Sequence, residues 1–236
     1  MLEIKDFSKT YGKGGKKAVD KLNLKVKKGE IYGFIGHNGA GKTTTIKAMV
    51  GIIDFEEGEI KIDKHSIKTD PILCKQKIAY IPDNPDIYEN VRGIDYLNFI
   101  ADIFNVSLQD REIAINKYAS EFDIFDNLGD LVSTYSHGMK QKLVIISALL
   151  HDPLLVIMDE PFVGLDPTSA FKLKKIMKDM CKKGVSFLFS SHVLEVVEKL
   201  CDKVAIIKKG KLIASGTVKE IKGDKSLEDL FVELND

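Results

Sequence analysis

The sequence carries no excess charge of either sign: Lys plus Arg and Asp plus Glu both number 35 in 236 residues. No global basic field therefore draws the chain to nucleic acid or to anionic lipid, and no nucleic-acid partner is expected. Lysine pairs recur at Lys16-Lys17, Lys27-Lys28, Lys182-Lys183 and Lys208-Lys209, and read as solvated turns. Cysteine is scarce. Cys74, Cys181 and Cys201 are widely spaced with no CxxC pair, which argues for reduced thiols in a cytosolic protein rather than a disulfide scaffold. Long apolar runs are missing as well. The richest, Leu143 to Leu150, is interrupted by Ser147 and falls short of the roughly 18 residues needed to cross a bilayer. The opening Met1-Leu2-Glu3-Ile4-Lys5-Asp6 lacks the apolar stretch of a signal peptide. A membrane role would need a second chain to supply the membrane. With no internal repeat and no low-complexity linker, one continuous globular unit is expected.

What is present is the composition of an ordinary globular protein, 44% hydrophobic and 30% charged, long enough to bury a substantial core. Period-two alternation marks strands at Leu2-Glu3-Ile4 and Leu22 to Val26, and Ile31 to Ile35 is a short buried-strand run. A hairpin-like stretch surrounds Gly58 to Asp63, and Ile78 to Ile81 breaks at Pro82 and Pro85. From about Tyr88 to Leu150 the pattern is helical, with Tyr96, Phe99, Ile100 and Ile103 at helix spacing. Strands follow at Leu154 to Met158, Ser186 to Phe189, Val204 to Ile207 and Lys211 to Ala214, with a helix near 168–183. A last amphipathic helix places Leu227, Leu230, Phe231 and Leu234 on one face. Strands alternating with helices predict an α/β sheet that is mainly parallel, with the helical middle third inserted into it.

Three segments carry chemistry. Gly36-His37-Asn38-Gly39-Ala40-Gly41-Lys42-Thr43 matches G-x4-G-K-[ST] in full, between an apolar strand and a helix that Gly51 closes. Glycines let successive N–H groups converge on phosphate oxygens, and the helix start adds its positive dipole end. Gly36, Asn38, Gly39, Ala40, Gly41, Lys42, Thr43 and Thr44 are the candidate nucleotide contacts, with Lys42 a point charge for the β/γ oxygens and Thr43 a Mg²⁺ ligand. Next, an apolar run ends in Asp159-Glu160, delivering two acids to the C-terminal end of a strand, where α/β sheets place ligands. Asp159 suits a Mg²⁺ contact through water, and Glu160 suits polarising an attacking water. Finally, Ser136 N-caps a basic helix and Gly138 permits close approach, an anion site or a simple capped helix.

The ordering of these segments resembles the ATP-binding subunits of ABC transporters, across essentially the whole chain. Walker A at 36–43, a signature-like Tyr135-Ser136-His137-Gly138-Met139, Walker B at 154–160, a D-loop Gly164-Leu165-Asp166 and a switch histidine in Ser190-Ser191-His192 stand in family order. The resemblance implies a P-loop NTPase (RecA-like) fold: an α/β core at 1–85 and 149–222 with an N-terminal antiparallel β subdomain, a helical subdomain at 86–148 and a C-terminal helix at 223–236. It implies ATP and Mg²⁺ as cofactors, Tyr11 stacking on adenine, Glu160 as general base, His192 holding the γ-phosphate, and Asp166 coupling two subunits. Ser136, His137, Gly138 and Met139 would meet the ATP of a second nucleotide-binding subunit. A separate transmembrane permease would dock on the helical subdomain near Tyr88, Tyr96, Phe99 and Phe104, which places the chain at the cytoplasmic face of a membrane.

Two positions depart from the family pattern. His137 and Met139 stand where the signature usually has Gly and Gln, a form that resembles the ABC-2-type export branch. Asp83 stands where a Gln that ligates Mg²⁺ is usual, and is expected to keep the sensing role with altered Mg²⁺ dependence. A soluble ABC ATPase outside transport, or a regulatory module that holds ATP without turnover, are the alternatives; the single cassette disfavours the first and intact Lys42, Asp159, Glu160 and His192 the second.

Overall fold

A computed structural model describes residues 1–12, 14–85 and 87–234. The expected start of the helical insert at residue 86 and the last two positions of the expected C-terminal helix, 235–236, lie outside the described residues.

Two sheets stack through the period-two rule of strands. β1 (Leu2–Thr10), β2 (Lys17–Val26), β4 (Glu57–Ile62) and β5 (His65–Ser66) form an antiparallel sheet in the order β2-β1-β4-β5. β3 (Ile31–Ile35), β6 (Ile78–Ile81), β7 (Leu155–Asp159), β8 (Ser186–Ser191), β9 (Lys203–Lys208) and β10 (Lys211–Thr217) form the second, ordered β10-β9-β3-β8-β7-β6. All neighbours there are parallel except β10, which returns antiparallel to β9. Every residue of β3, β7 and β8 is buried, so apolar residues follow one another without alternation, as in Leu155–Met158 and Phe187–Phe189. Alternate side chains nevertheless part to opposite faces. Leu155, Ile157 and Leu188 join Phe34, Ile46 and Met49 against the antiparallel sheet, while Val156, Met158, Phe187 and Phe189 join the core under the helices.

α1 (Lys42–Met49) follows β3, and α2 (Pro71–Gln76) precedes β6. The middle of the chain, expected as one helical stretch, is α3 (Gly93–Ile103), α4 (Leu108–Glu121), two 3-10 turns and α5 (His137–Leu149). Its interruptions have local causes: α3 stops at Phe104 and Asn105 takes φ 54°, and Ser107 then caps α4 by accepting from Asp110 N. α6 (Pro167–Lys182) links β7 to β8, and α7 (Leu194–Leu200), α8 (Val218–Lys222) and α9 (Leu227–Glu233) complete the set. α2, α7 and α8, of five to seven residues, complete fewer than two turns and escape the periodicity reading. No helix among the described residues is long and apolar enough to cross a membrane. Cys74, Cys181 and Cys201 are unpaired thiols.

Candidate functional site

The parallel order of β3, β7 and β8 brings three strand ends together, and the site is built on them. β3 ends at Ile35 and the chain turns through Gly36–Gly41 into α1. Gly41 sits at the helix start with φ 110°, a backbone that L side chains avoid, and a Cβ there would lie 2.7 Å from the Ala18 carbonyl oxygen. Gly36 is required for room: its Cβ would meet the Ile207 carbonyl oxygen at 2.5 Å. The loop is anchored from both sides, Ala40 N donating to His37 O (3.0 Å) and Gly210 N to Ala40 O (2.8 Å). The Lys42 ammonium, only 7% exposed, curls back to donate to Gly36 O (2.6 Å) and His37 O (3.4 Å). Burial lowers its pKa, against the opposing pull of Glu160 and Asp159. A buried cation resting on two carbonyls is ready to exchange them for phosphate oxygens.

β7 pairs with β8 so that Asp159 stands opposite Ser190. That register produces a relay. Thr43 Oγ1 donates to Asp159 Oδ2 (2.8 Å), Ser190 Oγ donates to Asp159 Oδ1, and Glu160 N donates to Ser190 Oγ (3.0 Å). Asp159 is 2% exposed and accepts on both oxygens, so its charge is held where the strand ends. Glu160 adopts φ 48°, a left-handed backbone of about 1–3 kcal/mol strain that turns its carboxylate away from the strand and toward β8. There Glu160 Oε2 accepts from His192 Nδ1 (2.9 Å) and His192 N (3.4 Å). His192 reaches outward, its side chain 62% exposed against 17% for Glu160. Tyr11 stands at the rim with its hydroxyl 3.4 Å from Thr44 Oγ1, and its ring is half exposed.

The signature residues are gathered elsewhere, on the D-loop. Ser136 caps α5 by accepting from Met139 N (3.3 Å). The His137 ring covers Gly164 so closely that a Cβ there would lie 2.5 Å from Cδ2, and a Cβ on Gly138 would lie 2.8 Å from Gly164 O. Asp166 caps α6, accepting from Ser169 N (2.8 Å) and Ser169 Oγ (2.7 Å), and pairs with Lys142 (3.1 Å). The Ser169 hydrogen bonds, then Lys142, hold its carboxyl well below the usual carboxylate range. Asn38 and Gly39 lie on the exposed crest of the P-loop. Asp83 is exposed on the loop after β6 and accepts from Asn84 N (3.0 Å). Burial first, and then the charges of Asp159 and Asp83, push the Tyr80 phenol up to about 12.

Sequence reasoning missed three parts of this arrangement. Ser190, read only as a neighbour of His192, is the hydroxyl that ties Asp159 to Glu160. Lys142 links the signature helix to Asp166. His37, in the P-loop, meets Phe231 of α9 with ring centroids 4.7 Å apart. Only pairing register and tertiary packing bring these residues together.

The fold and the site define a P-loop NTPase with an added antiparallel sheet and a helical insert. A family model described as "ABC transporter" matches residues 19–163, more than half of the chain. The chain is 36% identical over 238 residues to the uncharacterized ABC transporter ATP-binding protein YhaQ of Bacillus subtilis (strain 168), covering 100% of this chain and 78% of that protein. It is also 36% identical over 214 residues to the bacitracin transport ATP-binding protein BcrA of Bacillus licheniformis, covering 90% and 68%. A solved ATP-binding subunit of an ABC transporter, 34% identical, superposes with a TM-score of 0.95 over 100% of both chains. A dimeric post-hydrolysis state of the ATP-binding cassette MJ0796 bound to ADP and Pi shares the fold, with a TM-score of 0.84 at 20% identity and coverage of 92% and 99%. The chain belongs to the ABC transporter family, as an ATP-binding subunit and an ATPase of that class.

Proposed function

We propose that two such subunits pair head to tail over ATP, and that hydrolysis between them drives a separate membrane permease in the export direction. The observation that carries this is the division of the site. Lys42, Thr43, Asp159, Glu160 and His192 meet at the strand ends, whereas Ser136 is fixed to the D-loop on α5. A P-loop supplied by one subunit and a Ser136 supplied by the other make a whole site. The dimeric ADP-bound structure of the same fold supports pairing, and the bacitracin transport relative supports a transport role. The Ser136-His137-Gly138-Met139 form carries the assignment to export.

In this reading the Lys42 ammonium leaves its carbonyls for the β/γ oxygens, and Tyr11 offers its exposed ring to adenine. Glu160 accepts a proton from the water that attacks the γ-phosphorus in line, while His192 holds Glu160 and the γ-phosphate in register. ADP and phosphate result, and the contact that held the pair closed is lost. The Thr43 hydroxyl and Asp159 carboxylate, both hard oxygen donors 2.8 Å apart, fit Mg²⁺, which when bound would neutralise charge on the phosphates. Asp83 serves as the sensing residue in place of the usual Gln. The groove beside it, about 350 Å³ and lined by Ile52, Tyr80, Pro82, Tyr96, Ile100 and Phe104, suits a short helix from the permease.

The test is Glu160→Gln. Phosphate release should fall by about two to four orders of magnitude, the usual worth of a general base. ATP affinity should stay within a few-fold, and gel filtration with ATP should show a dimer that the nucleotide-free protein lacks. A strictly monomeric ATP-bound Glu160→Gln protein would remove the paired-subunit reading.

A further inference from the structure

Gln141 is fully buried, and neither its amide nitrogen nor its amide oxygen has a hydrogen-bond partner among the described residues. An amide in this state is costly, and an apolar side chain of the same shape would serve the fold better. Its place on α5 suggests what it is for. Residues three and four apart are neighbours on a helix surface, so Gln141 adjoins Gly138 and His137, with Lys142 next in the chain. Gly138 and His137 pack on Gly164, and Lys142 pairs with Asp166. The unpartnered amide thus stands within the patch of α5 that carries the D-loop.

We propose that Gln141 is a positioning residue for hydrolysis, whose amide takes up the backbone of 162–165, the turn that leads into the D-loop, when two subunits close over ATP. This rests on the paired-subunit reading above. An amide offers both a donor and an acceptor, so it can hold a peptide N–H and a peptide C=O through one rearrangement. In the open chain the D-loop is set by other bonds: Leu165 N donates to Phe162 O at a long 3.4 Å, and Asp166 is committed to Ser169 and Lys142. A small shift of the loop exchanges the weak turn for the Gln141 amide. Ser136 sits at the start of the same helix, so the contact would couple the signature directly to the loop that follows Glu160.

Gln141→Met, close in volume and apolar, separates this role from a structural one. Nucleotide-free Gln141→Met should melt about 2–4 °C higher than the parent, because an unpaired polar group has been removed. Its affinity for ATP as a monomer should be unchanged within twofold, and its rate of phosphate release should fall about tenfold. In the Glu160→Gln background, ATP-driven dimerisation should weaken about tenfold. Hydrogen-exchange protection that ATP confers on the 162–165 amides should be lost as well. A melting temperature that falls, or a variant that fails to fold, would show the amide already satisfied in the open chain and overturn the proposal. So would dimerisation and exchange protection equal to those of Glu160→Gln alone. If Glu160→Gln itself does not dimerise with ATP, the paired-subunit reading fails first and this proposal goes with it.

Discussion

The phosphate-binding half and the signature half of this chain are built by different means. Around the P-loop, the groups hang on the ends of buried parallel strands and are bonded to one another: Thr43 to Asp159, Asp159 to Ser190, Ser190 to Glu160, Glu160 to His192. The signature half hangs on helix starts. Ser136 caps α5, Asp166 caps α6, and the two are joined by the His137–Gly164 contact and the Lys142 ion pair. Strand ends flanked by two cores hold their geometry without help. Helix caps near the surface keep their shape but remain accessible to a second molecule. On the proposed function, the difference leaves the chemistry prebuilt within one chain and presents outward the residues that decide when it runs.

The comparison breaks most sharply at Ser136. Ser136→Ala removes the cap bond to Met139 N, which costs about 1 kcal/mol of stability, and leaves the P-loop untouched. If the halves are as separate as their construction implies, monomer affinity for ATP stays within twofold. Steady-state hydrolysis should then drop by about two orders of magnitude, in line with a single lost transition-state donor. Nucleotide titration set against phosphate release distinguishes the two, and an equal loss in both would join the halves.

Ser190 tests the other side. Ser190→Ala leaves one oxygen of buried Asp159 and the Glu160 N–H without their partner, a cost of about 1–3 kcal/mol. The expected consequence is about a tenfold lower turnover and a higher Mg²⁺ requirement, with ATP-driven pairing intact. A Mg²⁺ titration of phosphate release reads it. Loss of pairing with turnover preserved would reverse the assignment of the two halves.

Asp166 gives a smaller effect with a defined sign. Its carboxyl is held below the ordinary value of 3.8 by the Ser169 bonds and Lys142. A depressed folded pKa means that the unfolded chain binds the proton first as pH falls. The cap and ion pair therefore contribute fully above the unfolded value and fade as pH drops through the folded one. Asn caps a helix as well as Asp, so denaturation of the parent and of Asp166→Asn should differ by no more than about 1 kcal/mol at pH 7, from the half-exposed ion pair and the charge at the α6 start. The gap should begin to narrow as pH falls past the ordinary value of 3.8 and close only through the lower folded one. A gap that persists in acid would mean the stabilisation comes from packing of the α6 start rather than from charge.

How legible this was in the sequence follows the same division. Gly36 to Thr43 is contiguous, so its strand, loop and helix could be read directly, and Asp159-Glu160 stood out as acids ending an apolar run. The mainly parallel sheet was readable for a similar reason, since alternation and apolar runs mark strands locally, whereas the antiparallel addition was expected only from the family resemblance. Ser190 was opaque because its role depends on the β7–β8 register, which pairs it with Asp159 some thirty residues away. α7 went unread although Leu194, Val197 and Leu200 stand three apart, as the apolar residues of the equally short α9 do. Gln141 stands in a run of polar residues at a helix start, where nothing local marks it as buried; the packing of α5 buries it. For Ser190 and Gln141 the missing information was long-range packing, which residue type at a single position does not encode.

The gentlest probe of the boundary between the halves lies at neither. Phe231 of α9 lies against His37, the ring centroids 4.7 Å apart and the planes at 51°. Lys208 Nζ, at the end of β9, donates to Leu234 O (2.7 Å), and Leu227 N donates to Glu198 Oε2 (2.9 Å), so α9 is clipped in place at both ends. The His37 carbonyl is the second of the two P-loop carbonyls that accept from the Lys42 ammonium, at 3.4 Å. An aromatic contact of this kind is worth about 0.5–1.5 kcal/mol, and part of it supports the loop conformation that binds phosphate. Phe231→Ala should weaken ATP binding about threefold while turnover at saturating ATP stays constant, because Glu160, Ser190 and His192 do not depend on α9. His37→Ala should reproduce the shift, and the double variant should add little more, as expected for two sides of one contact. Calorimetric titration with a non-hydrolysable ATP analogue measures it. Additive effects, or a fall in turnover without a change in affinity, would detach α9 from the P-loop and leave it as packing alone.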